Sequence, residues 1–311
     1  MNKITKLLGI KYPIIQGAMA NISDAEFAAQ CSNSGILGVI ATSTNDGEWL
    51  KNEIRKIKTL TNKPFAVNVL LLSPYIDEIA QIVIDEKVKI VTTGAGSPKK
   101  YIKKWQEAGI IVIPVVPSVG IAKKMEQLGA DAVIAEGMEA GGHIGKMTTF
   151  TLVPQVVDAV SIPVIAAGGI ADKRGLLAAF ALGASGIQMG TRFLATNECP
   201  IHENYKKLII NSRDNDTIIT SFNNSNVRSL KNKLTIEISK SNNVVSIEEK
   251  EKMLTGSLKK AIIDGDIENG SFMAGQISGL ITEVLNIEDI VKAMFKNIKN
   301  DLNDLEKTLD L

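Results

Sequence analysis

Residues suited to proton transfer are scarce in this chain. It has two histidines, and one of them, His143, stands in the run EGMEAGGHIG (136–145), between glycines and behind two glutamates. An imidazole titrates near neutral pH and can give or take a proton during a reaction. Gly141, Gly142 and Gly145 remove side-chain bulk on both sides of it, which lets a ligand reach the ring. The plain structural alternative is a loop histidine bonded to backbone. Glu136 and Glu139 are candidates to orient the ring or to bond ligand hydroxyls, with a solvated side chain the simpler reading for Glu139. His202, in CPIHENYK, opens a polar helix and reads as structural.

Two further runs suit an anion. IPVIAAGGIAD (162–172) places Gly168 and Gly169 directly after an apolar stretch, and GIQMGTRF (186–193) does the same with Gly190 and Thr191. Backbone N–H groups in such loops are unpaired and can cradle a phosphate, although a tight turn alone would also explain each glycine. Arg192, beside the second loop, agrees in charge sign. A phosphate site suits sugar phosphates and flavin mononucleotide (FMN) alike, and three residues favour the flavin. Asn68 and Gln188 end apolar runs and offer both donors and acceptors to an isoalloxazine edge or to ribityl hydroxyls. Met19, after Gly17 and Ala18, is a polarizable side chain suited to lie against a flat ring. Strand capping and core filling are the simple alternatives for these three.

Eight runs must position these residues: 12–19, 36–42, 65–71, 89–95, 110–116, 131–137, 162–169 and 185–193. Most are apolar without alternation, as strands buried on both faces require. Helical stretches separate them, such as 24–35, with Ser23 or Asp24 as cap and Gly35 as stop, and 120–130. Strict β-then-α order predicts a parallel sheet, and eight units predict a closed (β/α)8 TIM barrel, an α/β fold, over 1–195. Every candidate above then falls at a strand C-terminus, the end where barrel enzymes gather their chemistry. Residues 196–250 are polar and rich in asparagine, serine and lysine, which predicts a mostly helical cap, inserted after strand eight and running to 285. Within it, SFMAGQ (271–276) carries small residues that let a helix approach a ligand. A last amphipathic helix within 286–311 is expected to pack the barrel shut.

Composition narrows the class of partner. Of 311 residues 45% are hydrophobic and the formal net charge is +1, so nothing points to nucleic acid. The two cysteines match no metal spacing or disulfide framework, and Cys31 reads as a buried small hydrophobe. No segment approaches the roughly 18 apolar residues of a membrane span. The N-terminal run resembles neither a signal peptide nor an anchor. A reduced, cytoplasmic protein is the expectation.

These runs carry a resemblance. IIQGAM, KPFAVNVLLLSP, VKIVTTGAGSPKKYI, GADAVIAEGMEAGGHIGKMTT, IPVIAAGGIAD and GSFMAGQISGL are similar to the flavin-dependent barrel family of nitronate monooxygenases and FabK-type enoyl-[acyl-carrier-protein] reductases. The match spans about residues 7 to 295. Gln16-Gly17-Ala18-Met19 resembles the reductase form, where the monooxygenases more often place a proline before the methionine. PVVPSV and SFMAGQISGL lean the same way. The resemblance implies FMN contacts from Gly17, Ala18, Met19, Asn68, Glu136, Gly141, Gly142, Gly168, Gly169, Gln188, Gly190 and Thr191, and a catalytic His143. It implies NADH or NADPH as co-substrate, an enoyl group on acyl carrier protein as substrate, and a homodimer. Lys99, Lys100, Lys103 and Lys104, in SPKKYIKKW (97–105), then become a candidate docking face for an acidic carrier; a solvated helix face is the alternative. The runner-up activity is nitronate oxidation with O2, and the rival from another class is a flavin-free sugar-phosphate lyase or isomerase.

Overall fold

The apolar runs become strands, but shorter ones than the runs themselves. β1 (Ile14–Gln16), β2 (Gly38–Ala41), β3 (Phe65–Leu70), β4 (Ile90–Gly94), β5 (Ile111–Val116) and β6 (Val133–Glu136) come first. β7 (Gly142–Ile144) lies outside the barrel wall, which β8 (Val164–Ala167) and β9 (Gly186–Met189) complete. The computed structural model describes residues 2–222, 225–240 and 247–309. The polar pieces 223–224 and 241–246, expected within the helical cap, lie outside those residues.

Eight parallel strands run in the order β1-β9-β8-β6-β5-β4-β3-β2. A bridge between Ile15 and Leu37 closes β1 onto β2, with Gln16 N–H donating to Leu37 O at 2.9 Å. The expected (β/α)8 barrel is therefore formed, each of its first seven strands followed by a helix. Its interior is filled by Ile15, Leu37, Val39, Ala66, Ile90, Ile113, Ile134, Ile165 and Ala167. Ile4 and Leu8, from the helix Lys3–Leu8, join this cluster and close the N-terminal end. Four outer helices start on acidic or hydroxyl caps, Asp24, Asp46, Ser118 and Asp172, as when Asp24 Oδ1 accepts the Phe27 N–H at 2.8 Å. Such a cap is worth about 1 kcal/mol.

The expected C-terminal helix is two helices. Ile287–Phe295 buries Ile287, Ile290, Val291 and Met294 against the helices Lys173–Ala181 and Ala25–Asn33, so it fills the eighth place of the outer ring. Each of those side chains contributes about 1.5–3 kcal/mol of burial. Asn297, in the left-handed conformation at φ 58°, breaks the path. The second helix, Ile298–Thr308, buries no residue. Closure of the barrel end thus falls to the N-terminal helix.

Between β9 and that eighth helix the chain makes a long excursion. It holds the helices Glu203–Ile210, Lys233–Lys240 and Ile247–Leu254, as expected, but also an antiparallel hairpin, β10 (Thr217–Phe222) with β11 (Ser225–Leu230). SFMAGQ is not helical: Ser271–Gly275 run as irregular chain into a short 3-10 turn, Gln276–Leu280. Its backbone bonds outward instead, Leu230 N–H donating to Phe272 O at 2.8 Å. Among the described residues, no helix is long and apolar enough to cross a membrane.

Candidate active site

Strand register sets which side chains face the barrel axis. Glu136, Ala167, Gln188 and Ile15 lie side by side on β6, β8, β9 and β1, and Ala167 and Ile15 belong to the interior cluster. Glu136 and Gln188 therefore point inward, in the layer nearest the C-terminal mouth. Asn68 and Thr92 align with the interior residue Ile113 in the same way, and Asn68 Nδ2 donates to Thr92 Oγ1 at 2.9 Å. Among the described residues nothing bonds to the side chains of Glu136 or Gln188. Burial alone pushes the Glu136 carboxyl up to about 7. Gln16, by contrast, is fully buried in the wall, its Oε1 accepting from Val39 N and its Nε2 donating to Ser23 Oγ.

Two loops at that mouth present free donors. Gly168 and Gly169 have φ of 94° and 72°, a conformation that favours glycine over any residue with a Cβ. The N–H groups of Gly168, Gly169 and Gly190 reach no acceptor among the described residues. A Cβ placed on Gly190 would meet only Met19 Sδ, at 3.9 Å, so protein leaves that space open. Gly17 N–H donates to Met189 O at 2.8 Å, which draws β1 against β9 and sets Met19 beside Gly190. Ala18 packs on the interior cluster. Thr191 is buried, and its Oγ1 accepts from Gly275 N–H at 2.9 Å. Free amides at two strand ends, inward amide side chains and a methionine at the rim are a donor set that fits a phosphate-bearing planar ligand.

His143 sits in β7, a strand the glycine-rich sequence did not announce. β7 pairs antiparallel with β11, matching His143 to Val227 and Gly142 to Arg228. The His143 side chain is exposed and forms no hydrogen bond among the described residues, so it is not a satisfied loop histidine. Neither glutamate orients it. Glu139 is also not solvated: its carboxylate accepts the Thr149 N–H at 2.9 Å and the Thr149 hydroxyl at 3.0 Å, capping the helix Thr149–Ala159. Gly141 lies so close to the 274–275 backbone that a Cβ there would come within 2.6 Å of the Ala274 carbonyl carbon. Arg228, buried on β11, donates through Nε and Nη2 to Met138 O at 3.1 and 3.0 Å. Its Nη1 donates to Thr217 Oγ1 at 3.1 Å.

Against this geometry, a profile of the nitronate monooxygenase family matches residues 1–82 and 74–297. The chain belongs to that family. Its members are flavin-dependent oxidoreductases, and the flavin-free reading is set aside. The solved structure of FabK from Thermotoga maritima superposes with a TM-score of 0.96 at 44% identity, covering 99% of each chain. A probable nitronate monooxygenase of Staphylococcus aureus (strain MRSA252) is 34% identical over 352 aligned residues, covering 98% of each chain. A 5-hydroxy-7a-methyl-1-oxo-octahydro-1H-indene-4-carboxyl-CoA dehydrogenase of Rhodococcus jostii (strain RHA1) is 32% identical over 203 residues, 65% of this chain. This chain covers 58% of that relative's length.

Sequence neighbours of the family motifs differ in what they do. Arg192 follows the Gly190 loop, yet its Nη2 donates to the carbonyls of Ala195 and Glu283, both at 2.9 Å, which turns that end of the guanidinium away from the loop, while its buried Nε has no partner among the described residues. His202 caps its helix, with Nδ1 accepting from Asn204 N–H at 3.1 Å. Cys31 and Cys199 are buried free thiols, each pushed up by burial. The lysine run is not one helix: Pro98–Lys100 is a 3-10 turn, and Ile102–Glu107 is the α-helix after it. Lys100 is paired with Asp77 at 2.5 Å, whereas Lys103 and Lys104 are exposed. The residues that sequence reasoning missed are Arg228, Thr149 and Thr92. Only the hairpin bearing Arg228 had a readable signal, two β-rich runs flanking Asn-Asn in TIITSFNNSNVRSL.

Proposed function

We propose that this protein is an FMN-dependent enoyl-[acyl-carrier-protein] reductase, using NADH or NADPH to reduce the trans-2 double bond of enoyl thioesters in fatty acid elongation. The observation that carries the reading is His143, exposed and unbonded at the C-terminal end of a family barrel. The higher identity to FabK than to the Staphylococcus monooxygenase supports it, and a CoA ester is named for the Rhodococcus relative. Bound FMN would supply the redox chemistry, carrying hydride from the nicotinamide to the β-carbon of the enoyl group.

The free amides of Gly168, Gly169 and Gly190 would hold the phosphate, with Thr191 fixing the second loop. Asn68 and Gln188 would bond the ring edge or ribityl hydroxyls, and Met19, with Gly17 and Ala18, would support the ring. Glu136, with its carboxyl near 7, can be protonated and donate to that ligand as well as accept from it. Gly142 would let the ligand pass close to the His143 strand, while Gly141 makes room for the 274–275 backbone beside it. His143 would donate a proton as hydride arrives, stabilising charge on the thioester oxygen and supplying the α-carbon. Residues 1–195 would form the FMN unit and 196–285 the substrate side, with 286–311 completing the barrel. The family likeness also supports a homodimer in the cytoplasm and docking of the acidic carrier near Lys103 and Lys104.

The family name itself favours a second reading, nitronate monooxygenase, in which His143 takes a proton and O2 consumes the electrons. Anaerobic oxidation of NADH or NADPH by the yellow protein, with and without crotonyl-CoA, separates the two. Turnover without oxygen that requires the enoyl thioester supports the reductase. No anaerobic turnover, together with oxygen-dependent loss of propyl-2-nitronate, overturns it.

A further inference from the structure

β7 is three residues long and touches no barrel strand through its backbone ladder. Its place in the small sheet is at one edge, in the order β10-β11-β7, so β11 is its one ladder partner among the described residues. A strand this short holds no geometry by itself. What adds to it is Arg228. The guanidinium is buried, stands on β11 in register with Gly142, and forks onto Met138 O, five residues before His143. Its third donor ties back to Thr217 on β10. On the barrel side the same loop is anchored by Glu139, whose carboxylate accepts from Thr149 N–H at 2.9 Å, while on the insert side Gln276 N–H donates to Glu139 O at 2.9 Å. The loop is thus clamped from both directions: Glu139 fixes it to the barrel, and Arg228 fixes it to the hairpin.

We infer that Arg228 is a positioning residue for His143, setting where the imidazole stands over the barrel mouth by locking the 138–144 backbone to the hairpin. The inference rests on the reading of His143 as the proton donor. Arg228 donates to carbonyl and hydroxyl oxygens of the protein and makes no hydrogen bond, among the described residues, to His143 or to the barrel mouth residues Asn68, Glu136 and Gln188. Its loss should therefore displace the histidine while leaving cofactor retention intact. A planar fork onto one carbonyl is something lysine reproduces only in part, since a single ammonium keeps the charge and loses the paired geometry.

The test uses FMN-loaded Arg228→Met and Arg228→Lys, with histidine labelled at Cε1 for NMR. The chain has two histidines, so there are two signals, and His202→Gln assigns the pair. Arg228→Met is expected to shift and broaden the His143 signal and to leave that of His202 in place. Reduction of FMN by NAD(P)H should stay within about 2-fold, while reoxidation by crotonyl-CoA falls by about 10²-fold, the loss expected for a misplacement on the order of 1 Å. Arg228→Lys should recover part of that rate. An unmoved His143 signal with unchanged reoxidation overturns the inference, as does equal loss of both half-reactions with loss of FMN, which marks Arg228 as general scaffold. Should Arg228→Met fail to fold, Thr217→Val removes one acceptor only, and an unmoved His143 signal there also overturns it. If the wild type reduces no enoyl thioester, the functional reading fails, and the NMR signal alone still decides the positioning role.

Discussion

Glu136→Gln removes the one inward carboxyl at the barrel mouth, and its consequence can be worked out in sign and size. Burial holds the folded carboxyl at about 7, against its ordinary value of 4.5. Between those values the folded protein binds more protons at this group than the unfolded chain does. Its contribution to stability therefore falls as pH rises through that window. The effect is absent below the unfolded value, grows by about 1.4 kcal/mol per pH unit, and levels off above the folded value at about 3 kcal/mol. No hydrogen bond from a described residue offsets it. Urea unfolding of FMN-free wild type and variant, at pH 5 to 8, is the assay. The stability of the variant relative to wild type should rise by about 2–3 kcal/mol between those limits and then stay level. Parallel pH profiles for the two proteins would show that the carboxyl is hydrated in the folded state, and the argument from burial would be lost. With FMN bound the difference should shrink, because a ligand that bonds the carboxylate brings its pKa back down.

Gly190→Val should give folded protein that purifies without FMN, since the added side chain meets open space on the protein side and occupies the phosphate approach. Loss of two charge-assisted hydrogen bonds, at about 1.5–3 kcal/mol each, weakens FMN binding by at least 10²-fold; yellow protein at normal yield would place the phosphate elsewhere. His143→Ala should reduce FMN with NAD(P)H anaerobically at a near-normal rate and then pass hydride to an enoyl thioester about 10²–10⁴-fold more slowly. Stopped-flow absorbance reads each half separately, and unchanged reoxidation would leave His143 without a chemical role. Lys103→Glu with Lys104→Glu should raise KM for the carrier-linked enoyl substrate and spare crotonyl-CoA; equal effects on both would remove the docking face. Lys100 is the wrong residue to reverse, because its Asp77 pair would be broken as well.

The barrel was legible because its strands are buried on both sides, and burial on both sides writes an unbroken apolar run such as IIVIPVV (110–116). Asp24 and Gly35 likewise announced their helix, since caps and left-handed stops act within a few residues. The cap hairpin was harder to read because it lies in a polar stretch, where buried positions such as Thr220, Arg228 and Ser229 are themselves polar and composition masks the alternation. β7 was invisible for a different reason: three residues in a glycine loop have no period, and their partner is 84 positions away, as Val227 is from His143. Direction was the remaining failure. Arg192 follows the Gly190 loop in sequence, but its guanidinium turns back to Ala195 O and Glu283 O, and Glu139 turns toward a helix start. Sequence adjacency identifies which residues share a loop and says nothing about where each side chain points.

The excursion that carries the hairpin leaves the barrel and returns to it at one point. Thr196 and Leu285 form a bridge, and Asn197 N–H donates to Leu285 O at 3.0 Å, so the two ends of the insert are neighbours. A segment entered and left through one doorway can be lengthened, shortened or exchanged without opening the barrel wall, which is the geometry that tolerates insertion. Here the exchange would not be neutral for chemistry. The hairpin inside the insert is the ladder partner of the strand that bears His143. Any graft that brings in a new substrate pocket would also bring in a new mount for the proton donor, and the two would have to be fitted to the barrel as one part.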